Sequence, residues 1–183
     1  MRAAPATVGL VESERDLEGI LALQRACREP TADGFVTVAH TLDDLRAMHA
    51  IAPSIVARDD AGRIVGYALV MPRETRALIP ILEPMFQMIE TLPPSTICGF
   101  PGARWYVMGQ IAVAPSHRGT GVFDRMYAEH RARYQDRFDA VVTEVATRNP
   151  RSLAAHHRVG FRTISRYRDA TDDWAVVAWE WRG

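Results

Sequence analysis

The sequence contains no lysine, so all 22 of its basic residues are arginine. A mechanism that relies on a lysine amine, as a Schiff base or as a nucleophile, is therefore excluded for the side chains of this chain. Cysteine is scarce as well, since Cys27 and Cys98 are the two that occur. Two isolated cysteines predict neither a disulfide framework nor a metal site, and they favour a reducing, cytoplasmic location.

The chain also lacks net charge and long apolar runs. Its 22 acidic residues balance the 22 arginines, so no overall field attracts nucleic acid, a membrane surface or an acidic partner. No apolar run reaches the roughly 18 residues of a membrane span, and the start Met-Arg-Ala-Ala-Pro lacks the apolar centre of a signal peptide. We expect a soluble protein that forms one domain over residues 1–183.

Motifs for metal and serine chemistry are missing too. Four isolated histidines have no carboxylate or cysteine at the spacing of a zinc site, so no metal is expected: His40, His49, His117 and His130. No serine lies in the Gly-x-Ser-x-Gly turn of an α/β-hydrolase nucleophile. The arginines are scattered among acidic neighbours and form no basic stripe, which argues again against nucleic-acid binding.

The apolar pattern predicts alternating strands and helices. Apolar segments predict strands at Thr7–Val11, Ser54–Arg58, Ile64–Met71, Trp105–Ala114, Ala140–Ala146, Phe161–Tyr167 and Asp173–Trp181. Capping residues and helical spacing predict helices that begin near Ser13 and Thr41, and further helices at Met85–Thr91, Val122–Tyr134 and Ser152–Val159. This order predicts an α/β or α+β fold in which helices cover a mixed sheet.

Residues 73–103 form the irregular part of the chain, because several prolines interrupt it. The segment carries more apolar residues than a solvated loop, among them Ile79, Leu82, Phe86 and Ile89. Core packing is the favoured interpretation of such residues, and a substrate lid or a dimer surface is the alternative.

The segment Gln110–Phe123 carries the strongest functional signal. An apolar strand ends before Pro115, a turn follows with Gly119 and Gly121, and a helix begins directly after it. Backbone N–H groups at a helix N-terminus have no partner within the helix and lie at the positive end of its dipole. The segment therefore predicts an anion site suited to phosphate or pyrophosphate.

Two motifs together resemble those of a known family. Arg118-Gly-Thr-Gly-Val-Phe123 resembles the pyrophosphate-binding motif of the GNAT N-acetyltransferase superfamily, and Asn149–Phe161 is similar to that family's second motif. The resemblance covers nearly the whole chain. It implies a GNAT-like mixed, mostly antiparallel central sheet of six to seven strands covered by about four helices, and acetyl-CoA (coenzyme A) as the bound cofactor.

The resemblance also implies which residues hold the cofactor. Backbone groups of Ile111, Ala112 and Val113 pair with the pantetheine arm where this strand splays from the next. The pyrophosphate is held by the N–H groups of Arg118, Gly119, Thr120, Gly121, Val122 and Phe123. The family has a small residue where Phe123 stands, so this ring must point elsewhere or reshape the site. Asn149 either contacts the cofactor through its amide or caps a helix.

Catalytic roles follow from the same resemblance. His156 takes the position of the residue that protonates the leaving thiolate, and its alternative is a packed ring bonded to a backbone carbonyl. Gln110 occupies a strand position where many relatives carry a carboxylate, and an amide cannot act as a base. Glu144 is then the most conspicuous carboxylate, either as a base or ammonium anchor or as the partner of an arginine. His157 is expected at the surface.

These residues imply an acyltransferase that moves an acetyl group from acetyl-CoA to an amine of a small-molecule or peptide acceptor by direct attack. A longer acyl-CoA, or an O- or N-hydroxy acceptor, is the nearest alternative. A catalytically inactive GNAT-like module that binds acyl-CoA for regulation or dimerisation is the alternative of a different class, and a homodimer fits either reading. The acceptor itself is not encoded in any motif of the sequence.

Overall fold

The computed structural model describes residues 6–28, 36 and 38–182. The first five residues, which gave the expectation of no signal peptide, lie outside this part. In the described residues the strands are β1 Thr7–Leu10, β2 Ile55–Arg58, β3 Ile64–Met71, β4 Trp105–Val113, β5 Ala140–Ala146, β6 Arg162–Arg168 and β7 Asp173–Glu180. The α-helices are α1 Glu14–Ala26, α2 Leu42–Ile51, α3 Glu83–Glu90, α4 Val122–Tyr134 and α5 Pro150–Val159.

The strands of the described residues form one seven-stranded sheet in the order β1-β2-β3-β4-β5-β7-β6. The ladders of β1 with β2, β2 with β3, β5 with β7 and β6 with β7 are antiparallel. A parallel ladder joins Trp105–Val107 of β4 to Ala140–Val142 of β5, and both strands run on beyond it. This mixed, mostly antiparallel sheet confirms the expected fold class, with five α-helices rather than about four.

The chain divides into two compact units, of which the first comprises Met1–Met71 and Met108–Arg133. Its first two helices begin in the same way. The hydroxyls of Ser13 and Thr41 accept hydrogen bonds from the backbone N–H groups of Asp16 and Asp44, whose carboxylates accept in return from the capping residues' N–H groups. These reciprocal bonds satisfy donors that the helix itself leaves without a partner. The two predicted helix starts are confirmed.

Close packing within the first unit explains two of its glycines. A Cβ at Gly66 in β3 would lie 3.1–3.2 Å from side-chain atoms of Val122 and Met126, so this glycine lets α4 pack closely on the strand. A Cβ at Gly109 in β4 would overlap the sulfur of Met71. The glycine inside β4 therefore marks a close approach, as its position in the strand predicted.

The second unit comprises Pro72–Val107 and Tyr134–Gly183. β5 and β7 are almost wholly buried, and Tyr106 packs against Phe138 with ring centroids 4.8 Å apart. In the irregular segment, two 3-10 turns (Arg73–Leu78 and Pro80–Leu82) lead into α3. The apolar residues of this segment that the sequence singled out are buried, as core packing predicts, whereas Leu78 and Phe100 are exposed.

Candidate functional site

The end of β4 leads through an ordered turn into α4, all within the first unit. A 3-10 turn at Pro115–His117 follows the strand. The guanidinium Nε of Arg118 donates back to the carbonyl oxygen of Val113 at 3.2 Å, and the hydroxyl of Thr120 donates to the carbonyl oxygen of His117 at 2.7 Å. These bonds fix the turn by its own atoms, so its backbone N–H groups are held in place before any ligand arrives.

Gly119 and Gly121 give this turn its shape. Their φ angles are +74° and +78°, in the left-handed region that other residues adopt only at a cost. Among the described residues, no heavy atom other than those of the glycine and its two chain neighbours lies within 4 Å of the position that a Cβ would take at either glycine. A ligand can therefore approach the backbone closely at both positions. This access suits a pyrophosphate that accepts hydrogen bonds from backbone N–H groups.

The first turn of α4 follows directly. The N–H of Arg125 donates to the carbonyl oxygen of Gly121 at 3.1 Å, so the helical bonding of α4 starts at that glycine. The bulky Phe123 packs its ring edge-on against Tyr127, one turn along the helix, with centroids 5.1 Å apart. The ring thus has a packing partner on its own helix, and its backbone N–H stays at the helix N-terminus.

Gln110 lies at the centre of a buried polar network in the first unit. Its Oε1 accepts from the hydroxyl of Tyr67 at 2.5 Å and from Nε2 of Gln24 at 3.2 Å, while its Nε2 donates to the carbonyl oxygen of Val38 at 2.9 Å. The Oε1 of Gln24 accepts in turn from the N–H of His40 at 3.1 Å. Both the oxygen and the nitrogen of the Gln110 amide are thus bonded to protein atoms, and these bonds hold α1, β3, β4 and the 38–40 segment together.

Glu144 lies on β5 in the second unit. Its Oε2 accepts a hydrogen bond from the hydroxyl of Tyr167 on β6 at 2.5 Å. No arginine of the described residues pairs with it, so that expected alternative is wrong. Burial raises the pKa of Glu144 to about 7; the Tyr167 hydrogen bond lowers that pKa, and the charge of Asp169 raises it. A carboxyl group with this pKa is divided between its two charge states near neutral pH.

His156 is buried on α5, with about 1% of its surface exposed. Its Nδ1 lies 2.8 Å from the carbonyl oxygen of Ser152, and because that oxygen can only accept, Nδ1 carries the proton. Burial lowers the pKa of His156 to about 4, so the ring is neutral near pH 7. The bond to a backbone carbonyl is the one that the alternative interpretation of this residue predicted. The neighbouring His157 is exposed, as expected, and bonds the hydroxyl of Thr163 at 3.1 Å.

Asn149 caps α5. Its side-chain Oδ1 accepts from the N–H of Ser152 at 3.3 Å, and Pro150 occupies the first helical position. Gly160, with φ of +122°, ends the helix as predicted, although the helix begins two residues earlier than Ser152. The cap uses the amide oxygen, so the amide nitrogen of Asn149 can serve a second purpose.

The structure thus divides the predicted residues into two groups. The expected cofactor-binding residues of β4, the turn and α4 lie in the first unit, whereas Glu144, Asn149 and His156 lie in the second. Sequence reasoning missed Tyr167 and Asp169 as neighbours of Glu144, because strand register, which was unknown, brings them there. Among the described residues no group of three or more histidines, cysteines, aspartates or glutamates could hold a metal ion.

Comparison with known proteins identifies the family. A family model for the acetyltransferase (GNAT) family matches residues 18–161. The chain therefore belongs to the GNAT acetyltransferase family. A comparison with curated proteins found no match. Among the helices that the structure describes, none has the length and apolar character needed to cross a bilayer.

Solved structures share the fold at low sequence identity. A phosphinothricin acetyltransferase from Sinorhizobium meliloti in complex with acetyl-CoA is 16% identical, with a TM-score of 0.66 over 97% of this chain and 89% of that one. A ribosomal-protein-alanine N-acetyltransferase from Brucella melitensis is 20% identical, with a TM-score of 0.67 over 96% and 99%. A GNAT family N-acetyltransferase from Escherichia coli in complex with CoA is also 20% identical, with a TM-score of 0.62 over 97% and 82%.

Proposed function

We propose that this protein transfers an acetyl group from acetyl-CoA to an amine of a small molecule or a peptide. One observation carries the proposal: the turn with Gly119 and Gly121 at positive φ, open above both glycines, leads into the N-terminus of α4. Membership of the acetyltransferase family and the acetyl-CoA and CoA complexes of two fold neighbours support the choice of donor.

Binding of acetyl-CoA is assigned mainly to the end of β4, the turn that follows it and the start of α4. Backbone groups of Ile111, Ala112 and Val113 at the end of β4 are proposed to pair with the pantetheine arm as an added strand does. The N–H groups from Gly119 to Phe123 are proposed to hold the pyrophosphate, whereas the N–H of Arg118 donates to the carbonyl oxygen of Pro115 at 3.3 Å. A backbone N–H near Ile111–Val113 can also stabilise the oxyanion that forms when the thioester is attacked. Asn149 is proposed to contact the cofactor through its amide nitrogen, which the helix cap leaves unused.

Proton transfer is assigned to the second unit. A neutral amine attacks the thioester carbon, a C–N bond forms, the C–S bond breaks, and the amine's proton must leave while the thiolate gains one. Glu144, whose pKa is about 7, is proposed to take the proton from the amine or to anchor its ammonium form. His156 is proposed to protonate the thiolate. Its Nδ1 proton is donated to the Ser152 carbonyl, so the ring must first take up a second proton at Nε2 and give that proton to the thiolate.

A second candidate function is an inactive module that binds acyl-CoA. The bonded amide of Gln110, at a strand position where many relatives carry a carboxylate, favours it, as does the neutral ring of His156 bonded within its own helix. Both candidates need the same turn, so cofactor binding alone cannot separate them. The cytoplasm is the proposed compartment, in agreement with the free thiols of Cys27 and Cys98.

The test combines calorimetry with thiol release. We expect acetyl-CoA to bind, and its thiol to be released when phosphinothricin or a peptide with an N-terminal alanine is added. Glu144→Gln should bind acetyl-CoA as the wild type does and release thiol at least tenfold more slowly. Binding without turnover for either amine favours the inactive module. Failure to bind acetyl-CoA at all contradicts both candidates.

A further inference from the structure

The strand register places Tyr167 and Glu144 on one face of the sheet. Glu144 on β5 lies opposite Val176 on β7, and Val176 lies opposite Ser165 on β6. Residues directly opposite one another point to the same face, as do residues two apart in one strand. Tyr167, two residues beyond Ser165, therefore shares the face of Glu144. Its long side chain reaches across β7, which separates the two strands in the sheet.

The hydrogen bond between the two side chains has a fixed direction. Burial and the neighbouring Glu144 carboxylate raise the pKa of Tyr167 well above its usual value, so the hydroxyl keeps its proton. It can therefore donate to Glu144 near neutral pH, over a distance of 2.5 Å. A donor of this kind favours the ionised carboxylate, because hydrogen bonds to a charged acceptor are stronger than bonds to a neutral one.

Asp169 acts on Glu144 in the opposite sense. It lies in the turn between β6 and β7, where its Oδ1 accepts from the N–H and hydroxyl of Thr171 and from the N–H of Asp172, at 2.6–2.9 Å. Burial raises the pKa of Asp169, but these hydrogen bonds outweigh that effect and hold the pKa at about 2. A permanent negative charge near Glu144 disfavours a second one.

No other charge of the described residues was found to act on Glu144. The facing residue of β7 is Val176, which has no charge. The α5 helix, which packs against β5, contributes His156, and that ring is neutral near pH 7. Burial raises the pKa of Glu144, and two neighbours then act on that pKa in opposite directions, since Tyr167 lowers it and Asp169 raises it.

We propose that Tyr167 and Asp169 set the charge state of Glu144, and that Tyr167 is the positioning residue for this carboxylate in acetyl transfer. The inference rests on the proposed function, in which Glu144 takes a proton from the acceptor amine. Tyr167 holds one carboxylate oxygen and leaves the other for the amine. The charge of Asp169 favours the protonated form of Glu144, and the hydrogen bond from Tyr167 favours the ionised form. Glu144 can therefore accept the proton of the amine and then release it to solvent.

Two substitutions with opposite expected signs test the proposal. Tyr167→Phe keeps the ring and removes the donor, so the titration midpoint of Glu144 should rise by about one pH unit. Asp169→Asn keeps an oxygen for the turn and removes the charge, so the midpoint should fall by about half a unit. NMR of protein labelled at the glutamate carboxyl carbon measures both shifts, and the Glu144→Gln spectrum assigns the signal.

A matched control lies in the same turn. Asp172 pairs with Arg148 at 2.5 Å, and Asp172→Asn should leave the midpoint of Glu144 where it is in the wild type. The acid limb of kcat/KM, with the N-terminal alanine peptide or phosphinothricin as acceptor, should move with the midpoint in Tyr167→Phe and in Asp169→Asn. A limb that stays in place while the midpoint moves overturns the catalytic part of the inference.

The two failures are distinguishable. If neither amine is acetylated by the wild-type protein, the proposed function fails, and the titrations still decide whether Tyr167 and Asp169 govern the charge of Glu144. Midpoints that stay unchanged, or that shift in the same direction in both variants, overturn the inference whatever the activity is.

Discussion

The hydroxyl of Tyr67 donates a hydrogen bond of 2.5 Å to Oε1 of Gln110, inside the first unit. The amide nitrogen of Gln110 donates to the carbonyl oxygen of Val38 at the same time. Both ends of this amide are therefore occupied by protein atoms, and the residue ties β4 to β3 and to the 38–40 segment. An amide suits this position because it can accept and donate together, which a carboxylate cannot do.

Replacement of Gln110 by glutamate should lower stability without raising activity. A carboxylate in this site still accepts from Tyr67 but leaves the Val38 carbonyl facing a buried negative oxygen, at a cost of about 1–3 kcal/mol in the free energy of unfolding. Urea denaturation measures the loss. Tyr67→Phe, which removes one donor and retains the ring, is the comparison and should cost about 1 kcal/mol. A Gln110→Glu variant that releases thiol faster than the wild type would contradict this structural role.

Gly121→Ala should weaken acetyl-CoA binding by about tenfold, because a non-glycine residue at φ of +78° costs about 1–2 kcal/mol and shifts the turn. Calorimetry gives the affinity, and the melting temperature gives the loss of stability. Gly62→Ala is a matched control, since Gly62 has φ of +74° and open space around its Cβ position in the β2–β3 turn. Both variants should lose similar stability, and equal loss of affinity in the two would refute the assigned pyrophosphate site.

Asn149 can be examined for its two roles separately. Asn149→Ala removes the cap of α5 and should reduce the free energy of unfolding by about 1 kcal/mol. Asn149→Asp keeps an oxygen for the Ser152 N–H but removes the amide nitrogen. If the nitrogen contacts the cofactor, the aspartate variant should retain its stability and bind acetyl-CoA several-fold more weakly. Unaltered affinity would leave Asn149 with the cap alone.

His156→Ala should lower the rate of thiol release by at least tenfold with little change in acetyl-CoA affinity, if this ring delivers the proton to the thiolate. His157→Ala, which removes an exposed ring on the same helix, is the control and should keep the wild-type rate. Melting temperatures of both variants separate a catalytic loss from unfolding, because His156 is buried. An unchanged rate in folded His156→Ala protein would remove this residue from the mechanism.

Acid should destabilise the protein through buried histidines, because burial lowers the pKa of His40, His130 and His156. Burial lowers the pKa of His130 to about 3 and that of His156 to about 4, against an ordinary value of 6.5. Below about pH 6.5 these histidines bind protons in the unfolded chain but not in the folded protein. Their contribution to the free energy of unfolding is therefore present above that pH and is lost as pH falls towards 4. Each histidine contributes a slope of up to about 1.4 kcal/mol per pH unit.

Urea denaturation at several pH values measures this slope. His130→Leu removes one of these groups and should lower the slope by up to about 1.4 kcal/mol per pH unit between pH 6.5 and 5. In His157→Leu the slope should persist, since His130 and His156 are retained. A His130→Leu slope equal to that of the wild type would show that this ring is protonated equally in both states.

The sequence predicted what is decided locally. The capping boxes at Ser13 and Thr41 and the Gly-spaced turn before α4 are set by residues within one or two turns of chain, and the structure contains all three. The start of α5 was placed too late, because a proline at the first helical position was not taken as part of the helix.

Partners far apart in sequence were not predictable in the same way. An arginine was one of the partners expected for Glu144, but the hydrogen bond comes from Tyr167, 23 positions away. The bonds of Gln110 to Gln24, Tyr67 and Val38 span 43 to 86 positions. Such pairs depend on strand register and helix packing, which no local pattern encodes. The single domain expected over residues 1–183, and the catalytic roles of His156 and Glu144, stay predictions.

The turn between β4 and α4 has a thermodynamic consequence. The N–H groups of His117 and Arg118 donate to the carbonyl oxygens of Ala114 and Pro115, respectively. The Thr120 hydroxyl donates to the carbonyl oxygen of His117. The segment is therefore rigid before an anion arrives, and binding removes little conformational entropy from it. Affinity for the phosphates can then come mainly from enthalpy, and a ligand should find the site by docking into it rather than by folding it.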